Sequence, residues 1–202
     1  MKLSKELFCV YGVTNNNPVI ENIEKAIKGG IKIIQLRMKN ASFDEFLSVA
    51  NKVKEVCKGK ALLIINDSVE IAKLSDADGV HLGQNDMEIK DARKLLGDKI
   101  VGLSAHNTEE ALKAQNDGAD YIGCGAMFPT ESKEDVSPLS AEELTKICKA
   151  VEIPVVAIGG ITLENMKYLK NTGADGIAVS KGLFSGNTEE NAKAFAERWK
   201  SL

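Results

Sequence analysis

The chain contains no apolar run approaching the length of a membrane span, which takes about 20 consecutive apolar residues, and its opening MKLSKELF lacks the apolar core of a signal peptide. The expectation is a cytoplasmic protein without a membrane partner. An excess of one charge is also missing: 26 Lys and Arg face 29 Asp and Glu, for a formal net charge of −3 and an isoelectric point near 5.6. Broad nucleic-acid or anionic-membrane binding is thereby excluded, and any anion site has to be local. Cysteine is sparse. Cys9, Cys57, Cys124 and Cys148 show no paired spacing, which excludes a zinc site or a disulfide framework and leaves free, mostly buried thiols. The two histidines, His81 and His106, are too far apart in sequence to suggest a zinc pair. No low-complexity segment or shift in composition marks a linker.

What is present is a core and a repeat. Apolar residues make up 44% of the 202 and charged residues 27%, ordinary values for a soluble globular protein. A short β-rich run, polar punctuation and a helical stretch recur along the chain. Strands are expected over 7–14, 33–39, 61–65, 79–82, 100–103, 121–124, 154–158 and 176–179. Helices are expected over 18–28, 42–58, 68–75, 87–96, 108–118, 140–151, 162–170 and 188–202. Ser42 with Glu45 three residues on has the form of a capping box. Two helix exits, Gly118-Ala119-Asp120-Tyr121 and Gly173-Ala174-Asp175-Gly176, echo one another. Eight strands alternating with eight helices favour a single parallel (β/α)8 TIM barrel over residues 1–202, rather than an open doubly wound sheet. The chain is short for that fold, so length spent between 125 and 139 is expected to be functional.

Residues 33–39 organise the rest. In an extended chain Gln35, Arg37 and Lys39 share one face while Leu36 and Met38 take the other. An amide, a guanidinium and an ammonium on an enclosed face are costly unless an anion meets them; a solvated edge strand is the competing reading. Barrel active sites lie at the C-terminal ends of the strands, and here nearly every predicted strand runs into polar residues: Asn66-Asp67, His81 to Asp86, Ser104 to His106, Thr130 to Lys133, Gly159-Gly160 and Ser180. Arg37, Lys39 and Lys133 are suited to phosphate oxygens. Asp67 and Asp86 form a carboxylate pair able to hold a magnesium ion that bridges a pyrophosphate, although Asp67 as a helix cap and Asp86 as a turn residue would also account for them. Gly159-Gly160 with Ser180 fits the backbone-amide phosphate site usual in these barrels. His81 reads as a core hydrogen-bonding residue and His106 as a loop residue. The chemistry therefore implies two phosphorylated groups bound together.

The motifs Tyr11-Gly12-Val13-Thr14, Gln35-Leu36-Arg37-Met38-Lys39, Ile64-Ile65-Asn66-Asp67, DGVHLGQND ending at Asp86, YIGCGAMFPTESK ending at Lys133 and IPVVAIGGI ending at Ile161 together resemble the thiamine-phosphate synthase (thiamine phosphate pyrophosphorylase) family over nearly the whole chain. The resemblance implies a Mg2+-dependent transferase that joins hydroxymethylpyrimidine pyrophosphate to thiazole phosphate and releases pyrophosphate by a dissociative, carbocation-like route. It implies that Gln35, Leu36, Arg37, Met38, Lys39, Asn66, Ser104 and Lys133 meet the pyrimidine pyrophosphate, with Arg37, Lys39, Ser104 and Lys133 acting in catalysis. Thr130, Glu131, Ser132, Gly160, Val179 and Ser180 would hold the thiazole phosphate, and Asp67 and Asp86 the metal. Such a route asks for leaving-group stabilisation and positioning rather than a strong base. Partners would be these small molecules alone; a homo-oligomer is compatible with the sequence. The chain departs from the family pattern at Met38 (usually Glu), Ser68 (Arg), Asn15 (Asp) and Ala126 (Pro), and Ser68 bears on the metal because it removes an ion pair near Asp67. The rival readings are a thiazole tautomerase on the same barrel, which binds one phosphate and has no use for the basic cluster, and a non-catalytic phosphate sensor.

Overall fold

A computed structural model describes residues 3–129 and 138–202. Eight parallel strands pair in sequence order and close on themselves, β1 with β8. They are β1 (Val10–Val13), β2 (Ile33–Leu36), β3 (Leu62–Asn66), β4 (Gly79–Leu82), β5 (Ile100–Ala105), β6 (Tyr121–Cys124), β7 (Val155–Ile158) and β8 (Gly176–Val179). Around them run α1 (Ile20–Lys28), α2 (Phe43–Cys57), α3 (Val69–Leu74), α4 (Ile89–Leu96), α5 (Thr108–Asp117), α6 (Ala141–Ala150), a four-residue α7 (Lys181–Phe184) and α8 (Thr188–Lys200). The expected (β/α)8 barrel is the observed one.

Strand alternation divides the apolar residues into two layers. Ile34, Leu36, Leu63, Ile65, Val80, Leu82 and Ile122 face outward and pack under the helices. Phe8, Tyr11, Val13, Ile33, Ile64, Tyr121 and Val156 fill the interior. Both layers are buried, which explains why β3 reads as an unbroken apolar run. Helix starts follow the capping rules: Ser42, Ser68, Asn107, Ser140 and Asn187 each accept a backbone N–H from the third residue on.

The echoed Ala-Asp sequences have a structural cause. Asp120, just before β6, takes the N–H of Val101 on its carboxylate at 2.8 Å and returns its own N–H to the Val101 carbonyl at 2.8 Å. Asp175 does the same with Val155 before β8, and Asp78 with Leu63 before β4. Each carboxylate also holds a cation, Arg93, Lys5 and Lys54 respectively. The repeat is a latch at the N-terminal end of the barrel, away from the strand ends that carry the site. Asp120→Ala strands the buried Val101 N–H and takes from Arg93 its carboxylate partner; we expect a loss of about 2 kcal/mol, read as a fall in Tm of about 4–8 °C with kcat unchanged.

Three expectations are corrected. Residues 162–170 do not form a helix: only a 3₁₀ turn, Met166–Leu169, is present. The side chains of Thr162 and Asn165 take up the local backbone groups, Thr162 Oγ1 accepting from Asn165 N at 3.2 Å and Asn165 Oδ1 accepting from Thr162 N at 2.8 Å, a competition that suppresses helix. The first strand is shorter than 7–14 because Lys5–Phe8 is a 3₁₀ turn. The second stops at Leu36, since Arg37 N donates to the Thr14 hydroxyl at 3.0 Å instead of continuing a strand ladder.

Candidate functional site

A cavity of about 390 Å³ opens at the C-terminal ends of the strands, within the range typical of small-molecule sites. Of the residues singled out from sequence, Gln35, Arg37, Asn66, Ser104, Gly160, Val179 and Ser180 line it. Leu36 and Met38 do not: both side chains are buried in the layer between barrel and helices, on the opposite face from Gln35. Thr130, Glu131, Ser132 and Lys133 lie outside the described residues.

Asn16 holds the Arg37 side chain and the backbone beyond it. Arg37 Nη1 donates to Asn16 Oδ1 at 3.2 Å, and the same Asn16 oxygen accepts from Lys39 N at 3.2 Å. Asn16 thus folds the loop after β1 over the cations, a role the sequence reading missed; its only signal was an Asn-rich turn following the Tyr11 to Thr14 motif. Partial burial pulls the Arg37 pKa down from its ordinary value, while the nearby Asp67 carboxylate opposes the shift.

Asp67 and Asp86 come together although neither lines the cavity wall. Asp67 sits in the left-handed region at φ 64°, which Asp and Asn tolerate better than most residues. Ser68, not Asp67, caps α3, accepting from Ile71 N at 3.2 Å; the helix-cap reading of Asp67 is set aside. Asp86 does close a turn, accepting from Gly83 N at 2.6 Å. Desolvation first, then the charge and hydrogen bond of Asp86, push the Asp67 pKa up to about 6, against the pull of Lys39 and Asn66. Desolvation and a neighbouring carboxylate both disfavour the charged form of Asp67, and a cation placed beside it would oppose them.

On the other wall, Gly159 (φ 104°) and Gly160 (φ 62°) turn the chain out of β7. A side chain on Gly160 would sit 2.5 Å from the Pro129 carbonyl oxygen and 2.8 Å from that of Phe128, so only bare backbone fits. Ser180 follows β8 and leads into α7, its carbonyl accepting from Leu183 N and Phe184 N.

The sequence reading undervalued the cavity floor. His81 points into the barrel with Nδ1 3.0 Å from Tyr121 Oη and Nε2 3.1 Å from Ser104 Oγ. Tyr11 and Tyr121 meet at 2.8 Å. His106 is a loop residue as expected, tied to Glu110 Oε2 at 2.9 Å.

The profile of the thiamine monophosphate synthase family matches residues 8–183, the span that carries all eight strands. The chain belongs to that family. Among its relatives, the thiamine-phosphate synthase of Methanobrevibacter smithii is 48% identical over 189 residues, 91% of this chain and 90% of the relative. That of Caldanaerobacter subterraneus is 44% identical over 209 residues, 96% of this chain and 98% of the relative. Among solved structures, thiamine phosphate pyrophosphorylase from Pyrococcus furiosus superposes with a TM-score of 0.91 at 35% identity, covering 98% of each chain. A structure titled native KDPGal, at 16% identity and a TM-score of 0.75, shares the fold alone.

Proposed function

We propose that this member of the thiamine monophosphate synthase family condenses hydroxymethylpyrimidine pyrophosphate with thiazole phosphate, forming thiamine phosphate and releasing pyrophosphate. The observation that carries the reading is the pairing of two unlike anion sites at one barrel mouth. Arg37 and Lys39 stand by the Asp67–Asp86 pair at one side, and the glycine turn at Gly159-Gly160 faces Ser180 at the other. A tautomerase that holds one monophosphate leaves the first of these without a task.

The donor set fits Mg2+: two carboxylates side by side, one with its pKa raised by desolvation and by its neighbour, and few enough protein ligands that substrate oxygens complete the shell. Asp67 and Asp86 would hold the ion, which when bound neutralises charge on the pyrophosphate. The chain's own residues do the remainder. Arg37 gives its planar fork of donors to the leaving pyrophosphate, and Lys39 adds a second positive charge. Gln35, Asn66 and Ser104 orient the pyrimidine over the cavity floor. Backbone N–H groups at Gly160, with the Ser180 hydroxyl, hold the thiazole phosphate so that the ring nitrogen faces the departing carbon. Ser104 Oγ lies 3.1 Å from His81 Nε2 in the cavity; in a departure-first route that serine orients the pyrimidine and does not attack it. The test combines both substrates with Mg2+ and follows pyrophosphate: one equivalent per thiamine phosphate is expected. Binding of both ligands without product would replace the synthase reading with that of a sensor.

A further inference from the structure

A line of side-chain hydrogen bonds crosses the cavity floor from β2 to β5. Gln35 Nε2 donates to Tyr11 Oη at 3.0 Å, Tyr11 Oη lies 2.8 Å from Tyr121 Oη, Tyr121 Oη lies 3.0 Å from His81 Nδ1, and His81 Nε2 lies 3.1 Å from Ser104 Oγ. The interior is cut to admit it. A side chain on Gly102 would stand 2.2 Å from Tyr121 Cζ, and one on Gly123 would stand 3.1 Å from His81 Cε1. Tyr11 and Tyr121 are almost completely buried.

One arrangement of the protons gives each buried phenol hydrogen an acceptor among these five side chains. A tyrosine hydroxyl carries a single proton. Tyr11 accepts from the Gln35 amide, so its own proton passes to Tyr121. Tyr121, having accepted, gives its proton to His81 Nδ1. A neutral imidazole that accepts at Nδ1 carries its hydrogen on Nε2, and this hydrogen goes to Ser104 Oγ. The serine proton is then left to point into the cavity. Burial raises the pKa of both phenols, so both remain donors across the physiological range.

We infer that Gln35, Tyr11, Tyr121, His81 and Ser104 form a one-way hydrogen-bond chain that locks His81 in its Nε2–H tautomer and presents Ser104 to the substrate as a proton donor. Tyr11, Tyr121 and His81 act as positioning residues, since they work through Ser104. A donor at this place suits a substrate atom with a lone pair, such as a ring nitrogen; that part rests on the synthase reading, while the tautomer lock does not.

The test is nitrogen NMR of the 15N-labelled chain without substrates. The chain has two histidines, and His106→Asn assigns the pair. His81 is expected to show an unprotonated Nδ1 and a protonated Nε2. Tyr121→Phe keeps the ring and removes the hydroxyl, so the single tautomer should give way to a mixture and kcat/KM should fall about tenfold, the effect of one lost buried hydrogen bond, with the melting transition retained. Tyr11→Phe cuts the line one link earlier and serves if the first variant fails to fold. A proton on Nδ1 in the parent protein, an unaltered tautomer in the variants, or a lost tautomer with unchanged kcat/KM would each overturn the inference. Because the spectrum is recorded without substrates, failure of the synthase assay leaves it standing.

Discussion

Arg37→Ala lowers kcat/KM by about 10²–10³-fold, the cost of removing a preorganised donor from developing negative charge, and leaves the barrel folded. The guanidinium is half-buried and already aimed by Asn16, so substrate binding does not have to order it. Its backbone is fixed independently through Thr14, whose own N–H donates to the Gln35 carbonyl at 2.9 Å. For that reason truncation beyond Cβ removes chemistry and spares architecture. Arg37→Lys should recover only part of the loss, because an ammonium keeps the charge but not the two-pronged geometry. The measurement is steady-state pyrophosphate release beside a thermal melt. Full activity in Arg37→Ala would remove the basic end of the proposed site.

Asp67→Asn has opposite effects on activity and stability. Turnover should fall about a thousandfold at fixed Mg2+, as expected when one of two metal-holding carboxylates is lost. Asparagine is the informative choice because it tolerates the left-handed backbone at φ 64°, whereas alanine would add strain there. The stability effect follows from linkage. The folded pKa of Asp67 is about 6, above its ordinary 3.8, so folding favours the protonated form. Without metal, the ionised side chain destabilises the fold, and the penalty grows as pH rises from about 4 to 6 and is fully present above 6. Exposure of the side chain screens the effect to below about 1 kcal/mol, so the variant should melt about 2 °C above the parent at pH 8, with the difference closing near pH 4. Mg2+ should narrow that gap by stabilising only the parent. A variant less stable than the parent at pH 8 would show that the two carboxylates do not repel one another.

Much of this protein was legible in one dimension, and the reasons are local. The strand–helix alternation follows from side-chain periodicity, the start of α2 from the Ser42 capping pattern, and Gln35 on the cavity side of β2 from the alternation along 33–39. Where the reading failed, distant or side-chain interactions had replaced local ones. The stretch 162–170 has helical spacing, but Thr162 and Asn165 spend the backbone's hydrogen bonds on their own side chains. Asn16 drew no assignment from the sequence; the fold sets it against Arg37, 21 residues away.

The sequence alone determined the architecture and the face of β2 that turns Gln35 into the cavity, because both depend on repeat and alternation along the chain. Tertiary structure alone decided which polar residues cooperate. Tyr11 and Tyr121 are 110 residues apart and read as ordinary aromatic strand residues; only barrel closure, with Gly102 opposite the Tyr121 ring and Gly123 opposite the His81 ring, brings their hydroxyls into one line with His81. Asp67 and Asp86 likewise could each have been a cap or a turn. Ser68 took the cap, and the parallel register of β3 and β4, with Asn66 beside His81, put the two carboxylates at one rim.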